Sequence, residues 1–187
     1  MDVVDVQKMN NTIYHQCKLV SGTLNVGDRV SSAYSENHRK RVASNHSSTH
    51  LLHHYLRLTL GEHVQQRGSS VTEDGFRFDF THAKPVTEKE LILIESSIQD
   101  EIHASTNTKK NILPFDKAIE SGALAFFEEK YEDNVRVVNI GKESIELCGG
   151  THVENTSEIG AIKIISQSSV ANGVRRLECV TGQNAFR

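Results

Sequence analysis

Two imidazoles stand four residues apart in His46-Ser47-Ser48-Thr49-His50, and a thiol and an imidazole stand four apart in Cys148-Gly149-Gly150-Thr151-His152. On a helix the first pair projects from one face about a turn apart, a spacing that lets both rings reach one metal ion. A metalloprotease of the His-Glu type needs its glutamate base directly after the first histidine. Ser47 occupies that place, which excludes this chemistry. In the second motif two glycines free the backbone to fold a tight loop that turns both flanking ligands inward. Together the halves offer three nitrogens and one sulfur, a donor set suited to tetrahedral zinc. Each half alone has an ordinary alternative: solvated histidines in a chain that has ten of them, and a buried thiol beside a surface histidine. The two halves together favour one shared metal site.

The first pair needs a helix under it, and the pattern over 41–60 is helical, with Gly61 where a left-handed C-terminal cap would fall. Strands are expected at 69–71 and 76–80 around the Glu73-Asp74-Gly75 turn, with Phe76, Phe78 and Phe80 on one face and Arg77 and Asp79 on the other. Thr87-Glu88-Lys89-Glu90 fits a capping box, opening a helix that carries Leu91, Ile94, Ile98 and Ile102 on one stripe. A short helix follows Pro114, and strands at 135–140, 144–147, 161–166 and 175–180 close the chain. At the other end, 12–20 reads as a strand, Gly22 and Gly27 mark turns, and 29–34 reads as the returning strand. This piece is too short to bury a core alone. The mixture lacks a strict βαβ rhythm, which predicts an α+β fold with a mainly antiparallel sheet packed with helices. The expected division is a small N-terminal β subdomain over 1–36 and the main domain over 37–187.

The 187 residues carry 24 Asp+Glu and 21 Lys+Arg, a formal charge of −3, with 37% apolar and 24% charged residues. That is the composition of a soluble globular protein. No apolar run approaches the ~18 residues of a membrane span, and the opening residues lack the features of a signal peptide. A cytoplasmic location with no membrane partner is therefore expected. Cys17, Cys148 and Cys179 lie too far apart, in a chain with no signal, to suggest a disulfide framework. A mildly acidic chain is not a generic nucleic-acid binder, so any such contact must be local. Arg39-Lys40-Arg41, Lys109-Lys110 and Arg175-Arg176 are candidates for phosphate contact, against the alternative of solvated faces. The acidic Glu128-Glu129 and Glu132-Asp133 would repel phosphate. Asp79 and Arg77 either pair or line a site. His53, His54, His63 and His82 read as solvated or structural, and Cys17 and Cys179 as buried thiols.

The stretch His46-Ser47-Ser48-Thr49-His50-Leu51-Leu52-His53, with Leu60-Gly61-Glu62-His63-Val64-Gln65-Gln66-Arg67-Gly68-Ser69, closely resembles the editing domain of alanyl-tRNA synthetases. Arg77-Phe78-Asp79-Phe80-Thr81-His82, the Cys148 to His152 motif and Gly173-Val174-Arg175-Arg176-Leu177-Glu178 continue the resemblance, which runs from about residue 22 to residue 182. The freestanding AlaX trans-editing proteins and the editing domain of bacterial threonyl-tRNA synthetases share the two ligand motifs. The intervening motifs look closer to the alanyl enzymes.

The resemblance implies hydrolysis of the ester in mischarged Ser-tRNA(Ala) or Gly-tRNA(Ala), with His46, His50, Cys148 and His152 as zinc ligands. It makes Gln66 a residue of the editing pocket and puts Arg175 in a motif near the site. Gln66, Thr49 or a backbone donor would recognise the serine hydroxyl. Ser48 stands where the family usually has alanine, and Ser47 where threonine is common. The partners implied are the tRNA(Ala) acceptor end and, for an excised fragment, the aminoacylation and C-terminal regions of the parent enzyme. A freestanding editor is the alternative to a fragment, and the opening residues look like part of the family's β-barrel. Two chemistries stay open. Zinc with an open coordination position activates water, or zinc orders the pocket while Gln66 orients the attacking water. A zinc-stabilised tRNA-binding module without catalysis is the alternative of a different class.

Overall fold

In the computed structural model, which describes residues 1–10, 12–125, 133–142 and 144–186, contacts divide the chain into units over 1–33 and 34–187. In the first unit, strand β1 (Asp2–Met9) pairs antiparallel with β2 (Thr12–Lys18), and Asn10 takes a φ of 46° in the turn that follows β1. The expected partner at 29–34 is not a strand: β2 pairs backwards onto the opening residues instead. Both segments alternate well enough to pair, and a tight turn makes the nearer one the cheaper partner. A two-stranded ribbon has no interior of its own, and Cys17, expected to be buried, is exposed.

The second unit opens with Ser35, whose hydroxyl accepts the His38 N–H at 3.3 Å and caps helix α1 (Glu36–Leu60). The helix starts before the expected residue 41 because its first turn is polar and exposed, and apolar periodicity carries no signal there. At its end Gly61 has a φ of 118°, but with ψ at 166° it is not a left-handed helical cap, and its N–H bonds to the Arg57 carbonyl at 2.9 Å. Strands β3 (Gln66–Val71) and β4 (Phe76–Thr81) follow, then helix α2 (Glu88–His103), whose Thr87–Glu90 capping box forms as the sequence predicts. Strand β5 (Lys109–Pro114), not anticipated, leads into α3 (Phe115–Glu120). Strands β6 (Asn134–Ile140) and β7 (Ser144–Leu147) precede the motif loop, and β8 (Ile162–Ala171) and β9 (Val174–Thr181) close the unit.

The fold is α+β, and among the described residues the named strands all pair antiparallel, with one isolated parallel bridge between Leu124 and Glu146. One sheet has the order β3-β4-β9-β8 and another β5-β6-β7. Phe76, Phe78 and Phe80 all point from β4 into the main core, where Leu51, Leu52 and Leu56 of α1 meet Ile94, Ile98 and Ile102 of α2. Leu177 and Cys179 of β9 complete that layer, and burial pushes the Cys179 thiol above its ordinary range. Ala118, Ala123, Val135, Val137 and Leu147 form a second cluster. Among the described residues, no helix is long and apolar enough to cross a membrane. The acidic Glu128, Glu129 and Glu132 lie outside the described residues.

Phe78 is fully buried, whereas Ile92 of α2 is 61% exposed. Phe78→Ala should lower unfolding free energy by about 3–5 kcal/mol, while Ile92→Ala should change it by no more than about 0.5 kcal/mol. Denaturant titration of the two variants checks the contrast.

Candidate metal centre

The middle of α1 is unusual in how many polar groups it buries beside its core leucines: Ser44, Asn45, Ser47, Ser48, Thr49, His50 and His53 are all buried there. Such groups cost free energy unless each finds a partner. Ser48 Oγ donates to the Ser44 carbonyl at 2.9 Å, and Thr49 Oγ1 donates to the His46 carbonyl at 2.7 Å. Asn45 donates to the Thr72 carbonyl and accepts from Thr181 Oγ1 at 2.6 Å. Ser47 Oγ accepts the Val153 N–H at 3.1 Å and lies 3.2 Å from His152 Nδ1. The rings of His46 and His50 face the loop after β7.

That loop brings the second motif against the first. The ligand atoms of His46, His50, Cys148 and His152 all lie within 4.8 Å of one another. Cys148 Sγ is 3.5 Å from His46 Nε2 and 3.3 Å from His152 Nε2, and the three imidazole centroids are 4.3–5.4 Å apart. One soft thiolate and three imidazoles at this separation fit a borderline-soft divalent ion such as zinc better than a hard one. The two glycines differ in role. The Gly150 backbone passes so close to the His46 ring that a Cβ would overlap it, whereas a Cβ on Gly149 would meet nothing within 4 Å. Arg136 of β6 holds the loop by donating from Nη1 to the Cys148 carbonyl at 3.0 Å and the Gly150 carbonyl at 2.6 Å. Sequence reasoning missed this residue, although Arg136 is the only charge in the strand Asn-Val-Arg-Val-Val-Asn-Ile.

Behind the rings lies Glu146, also missed. Its Oε2 is 2.8 Å from His50 Nδ1, a close approach outside hydrogen-bond geometry, and its Oε1 is 2.7 Å from His53 Nδ1. Burial opposes ionisation of Glu146, but His50 and His53 outweigh it and hold the carboxyl well below its usual range. Burial likewise opposes charge on His50, and Glu146 with Cys148 overcomes it, raising this histidine to about 10 in the metal-free protein. Burial would raise the Cys148 thiol, yet hydrogen bonds from His152, His46 and His50 bring it down to about 3. His152 is lowered to about 4, by burial first, against a Cys148 contact that works the other way. Thiolate and neutral imidazole are the forms a metal requires.

The other candidates are bonded elsewhere. Gln66 opens β3 with its amide donating to Ser69 Oγ at 3.3 Å. Arg175 donates to Gln167 Oε1 at 3.2 Å, and Gln167 in turn brackets the Val86 backbone. Thr49 turns its hydroxyl back onto the helix at the cluster's edge. Arg176 takes Asp79 in a two-bond clasp at 2.6 and 2.8 Å, leaving Arg77 at 3.8 Å, so the expected Asp79–Arg77 pairing is secondary. Of the basic runs, Arg41 binds the Glu73 carbonyl and Asp74, and Lys110 pairs with Glu154. His63 Nε2 lies 2.9 Å from His82 Nδ1, and His53 is buried and tied to Glu146.

Compared with known proteins, residues 135–178 match the family described as the threonyl and alanyl tRNA synthetase second additional domain. Over 98% of its length the chain is 47% identical to the alanine–tRNA ligase of Cupriavidus necator, covering 21% of that protein. The corresponding enzyme of Dichelobacter nodosus is 46% identical over 99% of the chain, and that of Listeria monocytogenes 47% identical over 99%, each covered to 21%. The chain thus spans about a fifth of the length of these relatives.

The glycine geometry sets a paired expectation. Gly150→Ala should strip most of the bound metal from the protein by displacing the His46 ring, whereas Gly149→Ala should retain it. Elemental analysis of the two purified variants, with circular dichroism as the check on folding, measures the difference.

Proposed function

The chain is a domain related to alanine–tRNA ligases, and on that footing we propose that it is their editing module, which hydrolyses mischarged Ser-tRNA(Ala) and Gly-tRNA(Ala) at a zinc site. In this reading residues 37–187 form the editing domain and 1–36 part of a β subdomain belonging to a longer enzyme. The observation that carries it is the convergence of His46, His50, Cys148 and His152 from two segments about a hundred residues apart. Zinc held there would act as a Lewis acid toward the ester carbonyl and toward water. The partner is the acceptor end of tRNA(Ala), gripped locally, which agrees with a chain whose formal charge is −3.

The protein's own groups then have distinct tasks. The four ligands hold the ion, and Arg136 holds the loop that supplies two of them. Gln66 has an amide that can orient a water but cannot deprotonate it. Its role is to place the nucleophile, with Thr49 or a backbone donor reading the serine hydroxyl and Arg175 contacting the tRNA end. A site built to bond that hydroxyl can reject the analogue lacking it by about 10⁴–10⁵. Glycine, smaller than alanine, is admitted by size.

A second reading follows from the donor count. Four protein ligands can fill a tetrahedral shell, which would make zinc structural and the domain a tRNA-binding module without catalysis. Incubation with Ser-tRNA(Ala) separates the two. The editing reading expects release of free serine, little release of alanine from Ala-tRNA(Ala), loss of activity with a chelator, and loss of both zinc and activity in His46→Ala and Cys148→Ala. Zinc-loaded protein that binds the tRNA without turnover would establish the binding module. Release from Ser-tRNA(Thr) instead would indicate a threonyl-type editor.

A further inference from the structure

Glu146 uses both oxygens on imidazoles, one beside His50 Nδ1 and the other beside His53 Nδ1, and all three side chains are buried. A carboxylate only accepts hydrogen bonds. An oxygen 2.8 Å from a ring nitrogen is repelled by a lone pair there and attracted by an N–H, even where the two are not aligned as a hydrogen bond. The proton of a neutral His50 therefore sits on Nδ1, which leaves the lone pair on Nε2. That is also the nitrogen that His46 and His152 direct at the Cys148 sulfur. Ser47 Oγ lies 3.2 Å from His152 Nδ1, where a hydroxyl can donate or accept.

The geometry points to Glu146 as a positioning residue for the metal site, fixing the tautomer and rotation of His50 so that Nε2 meets the ion, with His53 fixing Glu146 in turn. This rests on the metal-site reading above and adds to it a carboxylate and a third helix histidine that are not themselves ligands. The carboxylate has two acceptor oxygens for two N–H groups. An amide has only one, so Glu146→Gln must turn its NH2 toward one of the rings. Facing His53, that NH2 forces the ring's proton from Nδ1 to Nε2; facing His50, it demands a lone pair on Nδ1 and moves the proton to Nε2, where it blocks the metal.

This logic makes the pair His53 and Glu146 testable by rescue. Zinc affinity is measured by competition with a chromophoric chelator, and the ligand set by the visible spectrum of the cobalt-substituted protein. Glu146→Gln is expected to weaken zinc binding about 10–100-fold and to alter the cobalt spectrum. His53→Gln alone should bind zinc nearly as the wild type does, because its amide can still donate to the carboxylate. The double variant should recover most of the loss, since the second amide supplies an acceptor and frees the first to present its oxygen to His50. Tight zinc in the wild type with unchanged affinity in Glu146→Gln overturns this inference alone, as does a double variant no tighter than Glu146→Gln. A wild type without zinc overturns the metal-site reading and this inference with it. Should Glu146→Gln fail to fold by circular dichroism, the double variant decides: near wild-type affinity supports the role, and weak binding overturns it.

Discussion

The centre of α1 carries hydroxyls, an amide and imidazoles into the interior, and every segment packed around it has to answer them. An unpaired buried polar group costs about 1–3 kcal/mol, so a handful left unmet would exceed the margin by which a domain is stable. The partners come from far along the chain: Thr72 from the turn after β3, Glu146 from β7, Val153 from the motif loop and Thr181 from the end of β9. An apolar helix could slide or rotate against its neighbours at modest cost. This one is locked in register by directional bonds, and the ligand geometry inherits that precision.

Electrostatics narrows what the locked arrangement can hold. A thiolate at Cys148 and a carboxylate at Glu146 bring two negative charges into one buried neighbourhood. A doubly charged cation among the imidazoles balances both without help from lysine or arginine. Arg136 contributes differently, spending its donors on the Cys148 and Gly150 carbonyls, and so shapes the loop. The Gly150 backbone, running against the His46 ring, sets how near the two halves come.

Much of this arrangement is legible in the order of the amino acids, for reasons that differ from residue to residue. The four ligands stand out because histidine and cysteine at fixed short spacing are chemically distinctive. The Thr87–Glu90 box and the Phe76, Phe78 and Phe80 alternation are legible because both are local patterns. What escapes is non-local. The residues at 29–34 look as strand-like as those of β1, and only pairing decides between them. The first turn of α1 has no apolar face to announce it, and strand β5 is half lysine and asparagine. Glu146 and His53 look like an ordinary acid and a spare histidine until the fold sets them 2.7 Å apart across 93 residues. Gln66, Arg175 and Thr49 are marked out by the family resemblance, and their bonds here run to Ser69, Gln167 and the helix backbone.

The separation between α1 and its partners also bears on how the chain acquires its structure. On a ribosome the helix emerges ahead of its partners, and Thr181, which bonds Asn45, follows 136 residues later. Until β7, the motif loop and β9 are made, His53, Ser47 and the Asn45 carbonyl oxygen lack the partners they have in the folded unit. The helix can form by local bonds, but it cannot dock, and any ion must wait for the Cys148 loop. Long loops must close before these contacts reward them, which places this unit among the slower-folding topologies. The first motif to be synthesised is thus among the last to be sealed.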